Sequence, residues 1–459
     1  MVDVNKIQSV YFIGIGGIGM SALARYFKKR GIDVEGYDRN PTWLTQELIS
    51  EGINVVYDEK IPFPEKHYDL VIYTSAIPEK NTLLRHYRSK GYDVMKRSKV
   101  LGLITENKFT IAVAGTHGKT TITSMIAHIM KSAGTDMSSF VGGITKNYDS
   151  NYISSEGDGM MVVEADEYDR SFLSLSPDIS IISSIDPDHL DVYETMENLQ
   201  GSFEEFAART DDLGCIILKE GLDLKLPDNI NDYRYGIEGN TGFRAENIRD
   251  ELCIENFTLI LGEEKIESIC LPLPGKHNIE NAVAAAAVCH LRGISGSEIK
   301  KALQSYEGVH RRYDFIYENN HVTYIDDYAH HPEELSACIR TTRKLFPGKK
   351  ITGIFQPHLF SRTKNLATGF AESLDKLDEI ILLDIYPARE EPIPGVSSEI
   401  IYKKMANPNK VLLNKNKLMD HLWEKDFEIL LTLGAGDIDQ YVELIDDMLK
   451  QRNSNAKKH

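Results

Sequence analysis

Short apolar runs alternate along the chain with segments in which apolar residues recur at helical spacing. Apolar runs of strand length occupy residues 9–15, 34–37 and 70–74, and a helical pattern covers residues 20–30 between the first two runs. Strands that alternate with helices in this way are typical of a parallel sheet covered by helices. The first hundred residues therefore predict an α/β domain.

The same alternation starts again at two later points. An apolar strand at residues 109–114 leads into a predicted helix at residues 120–133, and a third series begins after residue 312. The further predicted elements are strands at residues 160–163, 179–185, 322–325, 350–355, 379–383 and 428–433, a helix at residues 281–292, and antiparallel strands within residues 225–274 that form an insertion or a small subsheet. The chain thus predicts three α/β domains, at residues 1–107, 108–312 and 313–459.

Composition narrows the possible partners. The chain has 459 residues, of which 42% are hydrophobic, enough for several buried cores. Its 52 basic and 69 acidic residues give a net charge of −17, which disfavours binding to nucleic acid or to anionic membranes. Its five cysteines include no C-x-x-C pair, which favours reduced thiols and a cytoplasmic protein. A bound anion would require a local concentration of cations.

The first motif is glycine-rich. Residues 14–19 read G-I-G-G-I-G between a predicted strand and a predicted helix, and Asp38 follows the next strand. Glycines allow the backbone to approach a diphosphate at a helix N-terminus, and an acid about twenty residues later can bind a ribose hydroxyl. The motif predicts a nucleotide diphosphate site without distinguishing a dinucleotide from other nucleotides. A simple tight turn is the alternative.

The second motif is a variant phosphate-binding loop. Residues 115–121 read G-T-H-G-K-T-T, again between a strand and a helix, but Val113 stands where the usual loop begins with glycine. Backbone amides of such a loop surround phosphates, Lys119 neutralises their charge, and the Thr120 hydroxyl can bind Mg²⁺. A nucleoside triphosphate site is therefore predicted here, in a compressed form of the loop.

Acidic and basic groups elsewhere suggest further ligands. Glu164 ends the predicted strand at residues 160–163, where a metal ligand is expected, and His189 follows another strand. Taken alone, an acidic cluster is more often a solvated loop and a lone histidine is usually structural. Cationic side chains gather at residues 310–312, 330–331 and 358–362. Arginine in these groups suits bidentate binding of phosphate or carboxylate.

In this order the motifs resemble the Mur ligase family, ATP-dependent enzymes that add amino acids to the UDP-muramyl precursor of peptidoglycan. The resemblance is carried by residues 115–120, 188–189 and 277–278 and by Glu164. Within the family, the chain is most similar to the members that add L-alanine to UDP-N-acetylmuramate. That similarity rests on residues 14–21, 326–332, 355–358, 361–363 and 386–388. Residues 167–169 are also similar to the ligases that reattach a recycled tripeptide to the same nucleotide.

The resemblance implies three substrates and a set of site residues. The substrates are ATP, UDP-N-acetylmuramate and L-alanine, with two Mg²⁺ ions, and the domains are expected to close around them. The expected domains are a Rossmann-like UDP-binding domain, a central P-loop ATPase-like domain and a C-terminal Rossmann-like domain. The expected catalytic residues are Lys119, Glu164, His189, Arg312 and His331, and the metal ligands are Thr120, Glu164 and His189. ATP would contact Gly115, Thr116, His117, Gly118, Lys119, Thr120, Thr121, His277 and Asn278. The UDP-sugar would contact Gly14, Gly16, Gly17, Gly19, Asp38 and Ser75, and alanine or the acceptor would contact Tyr328, His330, His358 and Arg362.

Two positions depart from the family pattern. Many alanine-adding ligases have an arginine where this chain has Leu359, so only His358 and Arg362 are carried over there. Several ligases for later amino acids hold Mg²⁺ with a carbamoylated lysine, and Phe203 falls at that place here. Two other function classes compete with a ligase. A nicotinamide dehydrogenase would use only the first glycine loop, and a P-loop regulatory switch would use only the second.

Overall fold

The computed structural model describes residues 3–58, 66–157, 159–186, 193–251, 254–388 and 390–456. The chain divides into two compact units, Met1–Val309 and His310–His459. The first unit contains two sheets and the second contains one. Within the described ranges, no helix is long and apolar enough to cross a membrane.

The first sheet has five parallel strands in the order β3-β2-β1-β4-β5. These strands are β1 (Ser9–Ile13), β2 (Asp33–Tyr37), β3 (Asn54–Val56), β4 (Leu70–Tyr73) and β5 (Val94–Lys96). The helices between and after them are α1 (Ile18–Lys29), α2 (Trp43–Ser50), α3 (Thr82–Ser89) and α4 (Arg97–Thr105). The central strand β1 is apolar because both faces of the sheet are covered. Its carboxyl end leads into the glycine loop.

The central sheet has ten strands in the order β15-β14-β13-β12-β11-β10-β6-β9-β7-β8. They are β6 (Phe109–Ala114), β7 (Ser138–Thr145), β8 (Ser150–Ser154), β9 (Met160–Glu164), β10 (Ile179–Ile182), β11 (Cys215–Lys219), β12 (Asn231–Gly236), β13 (Phe243–Glu251), β14 (Ile254–Leu261) and β15 (Glu264–Leu271). The helices of this region are α5 (Lys119–Ser132), α6 (Met196–Ala207), α7 (Lys276–Leu291) and α8 (Gly296–Gln304). Strands β6, β9 and β10 run parallel side by side, so their carboxyl ends lie at one sheet edge.

The predicted antiparallel region is present, but it is not a separate sheet. Strands β13, β14 and β15 pair antiparallel with one another. Strand β12 pairs parallel with both β11 and β13, and thereby joins these strands to the central sheet. The alternative of a separate small subsheet was therefore wrong, because the alternation of apolar residues shows one covered face but not which strand pairs alongside, and the alternative of an insertion stays a prediction.

The second unit has a six-stranded sheet in the order β16-β17-β21-β18-β19-β20. Its strands are β16 (Asp314–Glu318), β17 (Thr323–Asp327), β18 (Ile351–Phe355), β19 (Glu379–Leu383), β20 (Lys410–Leu413) and β21 (Ile429–Leu433). Its helices are α9 (Pro332–Leu345), α10 (Phe360–Leu374), α11 (Glu399–Tyr402), α12 (Leu418–Trp423) and α13 (Val442–Ala456). Short 3₁₀ helices occur at Val4–Lys6, Tyr168–Ser174, Lys415–Lys417 and Asp437–Tyr441. Only β16, at the edge, is antiparallel to its neighbour.

Candidate active site

The glycine loop between β1 and α1 is shaped by its own neighbours. Gly14 has φ +85°, and its amide donates to the Tyr37 carbonyl at 2.7 Å. The Gly16 amide donates to Asp38 Oδ2 at 2.7 Å. Asp38 therefore fixes the loop, a role that the sequence did not suggest, and its predicted contact with a ribose stays a prediction. The helix begins after Gly17 without a side-chain cap, so its first amides are open to an anion.

The remaining residues assigned to the UDP-sugar lie at or near the same sheet edge. Ser75 is exposed and follows β4, which pairs directly with β1. Gly19 lies in the first turn of α1, and a Cβ there would lie 2.8 Å from Arg97 Nη1. A Cβ on Gly16 would lie 2.6 Å from Thr45 Cγ2 and 2.8 Å from Asp38 Oδ2. The glycines at these two positions are therefore required by the surrounding protein as well as by any ligand.

The second loop joins β6 to α5 and is held by two serines that follow β10. Ser184 Oγ lies 3.0 Å from Thr116 Oγ1 and accepts a hydrogen bond from the His117 amide at 2.7 Å. A Cβ on Gly115 would lie 2.2 Å from Ser183 Oγ, and Gly115 has φ +133°. The compressed loop is thus supported by the neighbouring strand. Both serines were missed from the sequence, because the strand predicted at residues 179–185 included them whereas the observed strand ends at Ile182.

Lys119 forms an ion pair inside the loop. Its Nζ lies 2.8 Å from Glu167 Oε2 and donates to the Gly115 carbonyl at 2.6 Å. Burial disfavours the ammonium, but the attraction of Glu167, Glu164 and Asp166 outweighs burial and raises the pKa of Lys119 above its ordinary value. Lys119 therefore stays charged at neutral pH. Glu167 was not among the predicted site residues.

Thr120 and Glu164 are brought together at the carboxyl edge of the central sheet. Thr120 Oγ1 lies 3.0 Å from both carboxylate oxygens of Glu164, and the Gly142 amide donates to Glu164 Oε2 at 2.8 Å. A hydroxyl and a carboxylate are oxygen ligands of the kind that Mg²⁺ prefers. This pair fits a magnesium site. The third predicted ligand, His189, lies outside the described residues.

The residues assigned to adenine lie at the start of α7. His277 is exposed, whereas Asn278 is buried and donates from Nδ2 to the Pro274 carbonyl at 2.8 Å. One turn later, Asn281 approaches the phosphate loop, because a Cβ on Gly118 would lie 2.8 Å from Asn281 Oδ1. Sequence analysis missed Asn281. Its position three residues after Asn278, on the same helix face, was the available signal.

In the second unit, four rings form a continuous row. The ring centroids of Tyr328 and His330 are 5.1 Å apart, those of His330 and His358 are 6.1 Å apart, and those of His358 and Tyr386 are 5.7 Å apart. Burial lowers the pKa of His330 to about 4, and the nearby Arg362 adds to this effect against the opposing charge of Glu334. His330 is therefore neutral at neutral pH. Three of the four residues predicted for alanine or the acceptor lie in this row.

The two arginines before β16 differ in their surroundings. Arg311 donates from Nε to Asp326 Oδ2 at 3.1 Å and from Nη2 to the Gly434 carbonyl at 2.6 Å, so it secures the fold. The guanidinium carbons of Arg311 and Arg312 lie 5.2 and 5.1 Å from the centroid of the Tyr328 ring, so both arginines lie beside the row of rings. Burial raises the pKa of Asp327 to about 6, and Arg312 opposes that rise. His331 precedes α9, and its amide donates to Glu334 at 3.2 Å.

Arg362 lies in the first turn of α10, which a distant carboxylate holds in place. Glu390 Oε2 accepts a hydrogen bond from the Ser361 amide at 2.9 Å. Leu359, at the position where the resemblance described above leads one to expect arginine, is buried and has φ +69°. The apolar side chain of Leu359 therefore packs into the protein. Arg362 is the cationic residue in the first turn of this helix.

The sequence assigns Arg362 to alanine or the acceptor, and on that assignment Arg362→Ala is expected to weaken the use of alanine while nucleotide binding is retained, because the guanidinium is the group suited to a carboxylate on this helix. Steady-state kinetics should show kcat/KM for alanine lowered by about tenfold or more, equivalent to one charge-assisted contact. The exposed Lys364, two residues later, offers a matched control as Lys364→Ala. Unchanged kcat/KM for both alanine and the acceptor would remove Arg362 from the site.

Three family profiles match successive parts of the chain. They are the Mur ligase family, catalytic domain, at residues 9–109, the Mur ligase middle domain at residues 113–289, and the Mur ligase, glutamate ligase domain at residues 311–436. Each profile covers one of the three sheets in large part, although the central sheet and the first sheet belong to one compact unit.

Curated relatives match over nearly the full length. A protein of Parabacteroides distasonis named UDP-N-acetylmuramate--L-alanine ligase is 46% identical over 457 residues, which cover 98% of each chain. A protein of the same name from Cytophaga hutchinsonii is 43% identical over 464 residues, covering 99% of this chain and 100% of the relative.

Solved structures agree with the fold. The UDP-N-acetylmuramate-alanine ligase of Thermotoga maritima has a TM-score of 0.80 at 27% identity, covering 97% of this chain and 99% of its own. A murein peptide ligase of Psychrobacter arcticus, at 22% identity and TM-score 0.72 over 96% of this chain and 98% of its own, shares the fold. These similarities confirm the α/β architecture and the resemblance seen in the motifs. The chain belongs to the Mur ligase family.

Proposed function

We propose that this chain is an ATP-dependent ligase that joins L-alanine to the lactyl carboxylate of UDP-N-acetylmuramate in peptidoglycan precursor synthesis, with release of ADP and phosphate. The observation that carries the proposal is the contact of Thr120 with Glu164 beside the partly buried Lys119. This is a phosphoryl-transfer arrangement, and it lies in a chain whose full-length relatives carry the name of that activity.

The first step joins two anions. A lactyl carboxylate oxygen attacks the γ-phosphorus of ATP. The bond from that phosphorus to the oxygen that bridges it to the β-phosphate breaks, so ADP departs and the acyl phosphate remains. Because repulsion between the anions opposes this step, the site must concentrate positive charge. Lys119 supplies a permanent cation, and the amides at the start of α5 orient the phosphates. ATP must first compete with Glu167 for Lys119, since the two are paired in this structure.

Magnesium is the expected cofactor. Thr120 and Glu164 would hold one Mg²⁺, and Glu164 with His189 would hold a second. Bound there, Mg²⁺ would neutralise charge on the phosphoryl oxygens. Glu164 is prepared for this role by Thr120 and the Gly142 amide, which keep its carboxylate at the edge of the sheet.

The second step uses the other unit. The amine of L-alanine attacks the acyl carbon, the bond to the phosphate oxygen breaks, and inorganic phosphate leaves. We assign the alanine carboxylate to Arg362 and His358, and the neighbouring Tyr328 and His330 to the wall of this site. Arg312 would contact phosphate during the reaction. The proton of the alanine ammonium would pass to His331 or to water.

The first sheet would hold the acceptor. We assign the diphosphate to the glycine loop and the uncapped amides of the first turn of α1, and the uridine moiety to the edge that carries Asp38 and Ser75. We also assign the protein to the cytoplasm, because the cysteines within the described residues are free thiols.

The proposal is tested by ADP release from ATP in the presence of UDP-N-acetylmuramate. L-alanine should start ADP release, whereas the recycled tripeptide should not. Omission of either the acceptor or the amino acid should leave only background release. Faster release with the tripeptide than with alanine would identify the recycling reaction instead, and release that needs no acceptor would contradict a ligase.

The metal site should operate without carbon dioxide. Phe203 is fully buried and its ring centroid lies 5.3 Å from that of Phe172, so the position at which related ligases have a carbamoylated lysine is part of the apolar core. A phenyl ring can neither take up CO₂ nor bind a metal. We therefore expect unchanged ADP release after bicarbonate and CO₂ are stripped from the buffer. Activity that is lost on stripping and restored by bicarbonate would show that a carbamoylated group exists elsewhere.

A further inference from the structure

Asn151 is a fully buried polar residue between the two sheets of the first unit. It lies on β8 of the central sheet, and its side chain reaches helix α1 of the first sheet. Its Nδ2 donates to the Ile18 carbonyl at 2.5 Å and to Ser21 Oγ at 2.8 Å, and its Oδ1 accepts from Arg25 Nη1 at 2.6 Å. A carbonyl can only accept and a guanidinium can only donate, so the orientation of the amide is determined. Neither the motifs nor the mechanism above gives Asn151 a role.

The helical groups that Asn151 contacts are themselves held in place. Ile18 is the first residue of α1, in the turn whose uncapped amides we assign to the acceptor's diphosphate. The Arg25 side chain is only 7% exposed, and it donates to Glu51 Oε1 from Nη2 at 2.6 Å and from Nε at 2.9 Å. Removal of the Asn151 amide would therefore leave a buried donor without its partner, which is costly. The network thus fixes the first two turns of α1 against β8.

Apolar packing surrounds this network. The ring centroid of Tyr26 on α1 lies 5.5 Å from that of Phe140 on β7 and 6.1 Å from that of Tyr152 on β8. Apolar residues of the first sheet and of the central sheet belong to one buried cluster. Apolar burial is non-directional, whereas hydrogen bonds require particular distances and angles. Packing therefore holds the two sheets together, and the Asn151 amide fixes how α1 is placed along β8.

Asn151 also lies opposite an irregular part of strand β7. The regular pairing of β7 with β8 is interrupted where residues 141–144 of β7 lie opposite Asn151 alone. Irregularities of this kind redirect backbone and side-chain groups and are frequent beside active sites. Here the Gly142 amide donates to Glu164 Oε2 at 2.8 Å, at the candidate magnesium site. The two paired strands β7 and β8 therefore contact the acceptor's helix at one point and the metal carboxylate at another.

We propose that Asn151 is a positioning residue that holds the first turn of α1 at a fixed distance from Glu164, so that the lactyl carboxylate of the bound acceptor meets the γ-phosphate of ATP. The inference rests on the proposed function, which places the acceptor's diphosphate at this turn and magnesium at Glu164. Each nucleotide alone binds groups of one sheet, whereas the reaction needs both nucleotides at the correct separation. Loss of Asn151 should therefore slow the chemical step more than it weakens the binding of either nucleotide.

Rapid-quench kinetics and calorimetry on Asn151→Ala test the proposal. With ATP, Mg²⁺, UDP-N-acetylmuramate and L-alanine all saturating, the rate of ADP formation in the first turnover should fall by about tenfold or more, because small misplacements of reacting groups have large effects on rate. The Kd of UDP-N-acetylmuramate and the Kd of a non-hydrolysable ATP analogue, each measured alone, should change by less than about threefold. Asn151→Asp keeps the shape and the acceptor for Arg25 but lacks both donors, so it should show the same split, and it also serves if the alanine variant does not fold.

Two control variants separate positioning from attachment of the sheets and from stability. Lys29, in the last turn of α1, donates to Ser154 Oγ on β8 at 2.7 Å, so Lys29→Ala removes a contact between the same two elements far from the first turn. It should retain the first-turnover rate. Thr210→Val removes a buried hydroxyl that lies 2.7 Å from Ser180 Oγ, and it should lower the Tm while leaving that rate unchanged.

Failure of the inference can be told apart from failure of the proposed function. Folded Asn151→Ala and Asn151→Asp proteins with a normal first-turnover rate would overturn the inference and leave the proposed function intact. Acceptor or analogue binding that weakens as much as the rate falls, or equal rate losses in Lys29→Ala, would also overturn it. An unmodified protein that forms no ADP with UDP-N-acetylmuramate and L-alanine would contradict the proposed function and the inference together.

Discussion

Lys119→Ala is expected to lower the rate of ADP formation by about a thousandfold or more, because it removes the permanent cation from a step in which two anions meet. The ammonium is partly buried, it is paired with Glu167 at 2.8 Å, and its pKa is raised, so it is charged at neutral pH. A water molecule that fills its place in the variant carries no charge. The measurement is kcat for ADP release with acceptor and alanine both saturating.

Two controls keep this result specific to the phosphate loop. Binding of UDP-N-acetylmuramate to Lys119→Ala should be largely retained, since the glycine loop lies on another sheet, one face of which packs in an apolar cluster of its own. Lys131→Ala, at the far end of α5, removes a lysine whose Nζ lies over the Tyr148 ring and should leave kcat close to normal. A folded Lys119→Ala protein with normal ADP release would contradict the assignment of the loop.

Gly16→Val is expected to remove most acceptor binding and to destabilise the first sheet. A Cβ at this position would lie 2.6 Å from Thr45 and 2.8 Å from Asp38, and two further methyl groups would block approach to the loop amides. Overpacking of this kind costs about 1–3 kcal/mol of stability. Calorimetry should show acceptor binding weakened by at least about tenfold, and thermal unfolding should show a lower Tm.

A matched substitution tests whether the loss of acceptor binding is specific to the glycine loop or follows from any added side-chain bulk. Gly201 lies in α6 with no atom within 4 Å of a Cβ built there, so Gly201→Val should leave acceptor affinity unchanged. Loss of analogue binding in Gly16→Val with acceptor binding intact would mean that the two nucleotide sites must be exchanged.

The buried parallel strands could be predicted from the sequence because each reads as a continuous apolar run. Strands β6 and β19 begin and end at the predicted residues, and β9 and β21 differ by one residue at one end. The antiparallel extension β13–β15 was not placed correctly, because its partner strand is fixed by tertiary pairing through β12.

The candidate site was predictable only where one local motif carries the chemistry. The sequence predicted that Thr120 and Glu164 bind Mg²⁺ together. Both lie near the carboxyl ends of strands in a parallel sheet, and these ends share one edge. Glu167, Ser184 and Asn281 were missed because they reach the phosphate loop from separate elements, and only Asn281 had a local signal, its place one turn after Asn278. Asp38 was recognised, but its hydrogen bond to Gly16 depends on the folded loop.

Transfer of labelled oxygen tests the central claim most directly. UDP-N-acetylmuramate with ¹⁸O in its lactyl carboxylate would be incubated with the protein, ATP, Mg²⁺ and L-alanine, and the products analysed by mass spectrometry. Attack of the carboxylate on ATP followed by displacement by the amine predicts one ¹⁸O atom in the released phosphate for each alanine amide formed. Unlabelled phosphate, or ADP formed without an alanine-containing product, would contradict the account.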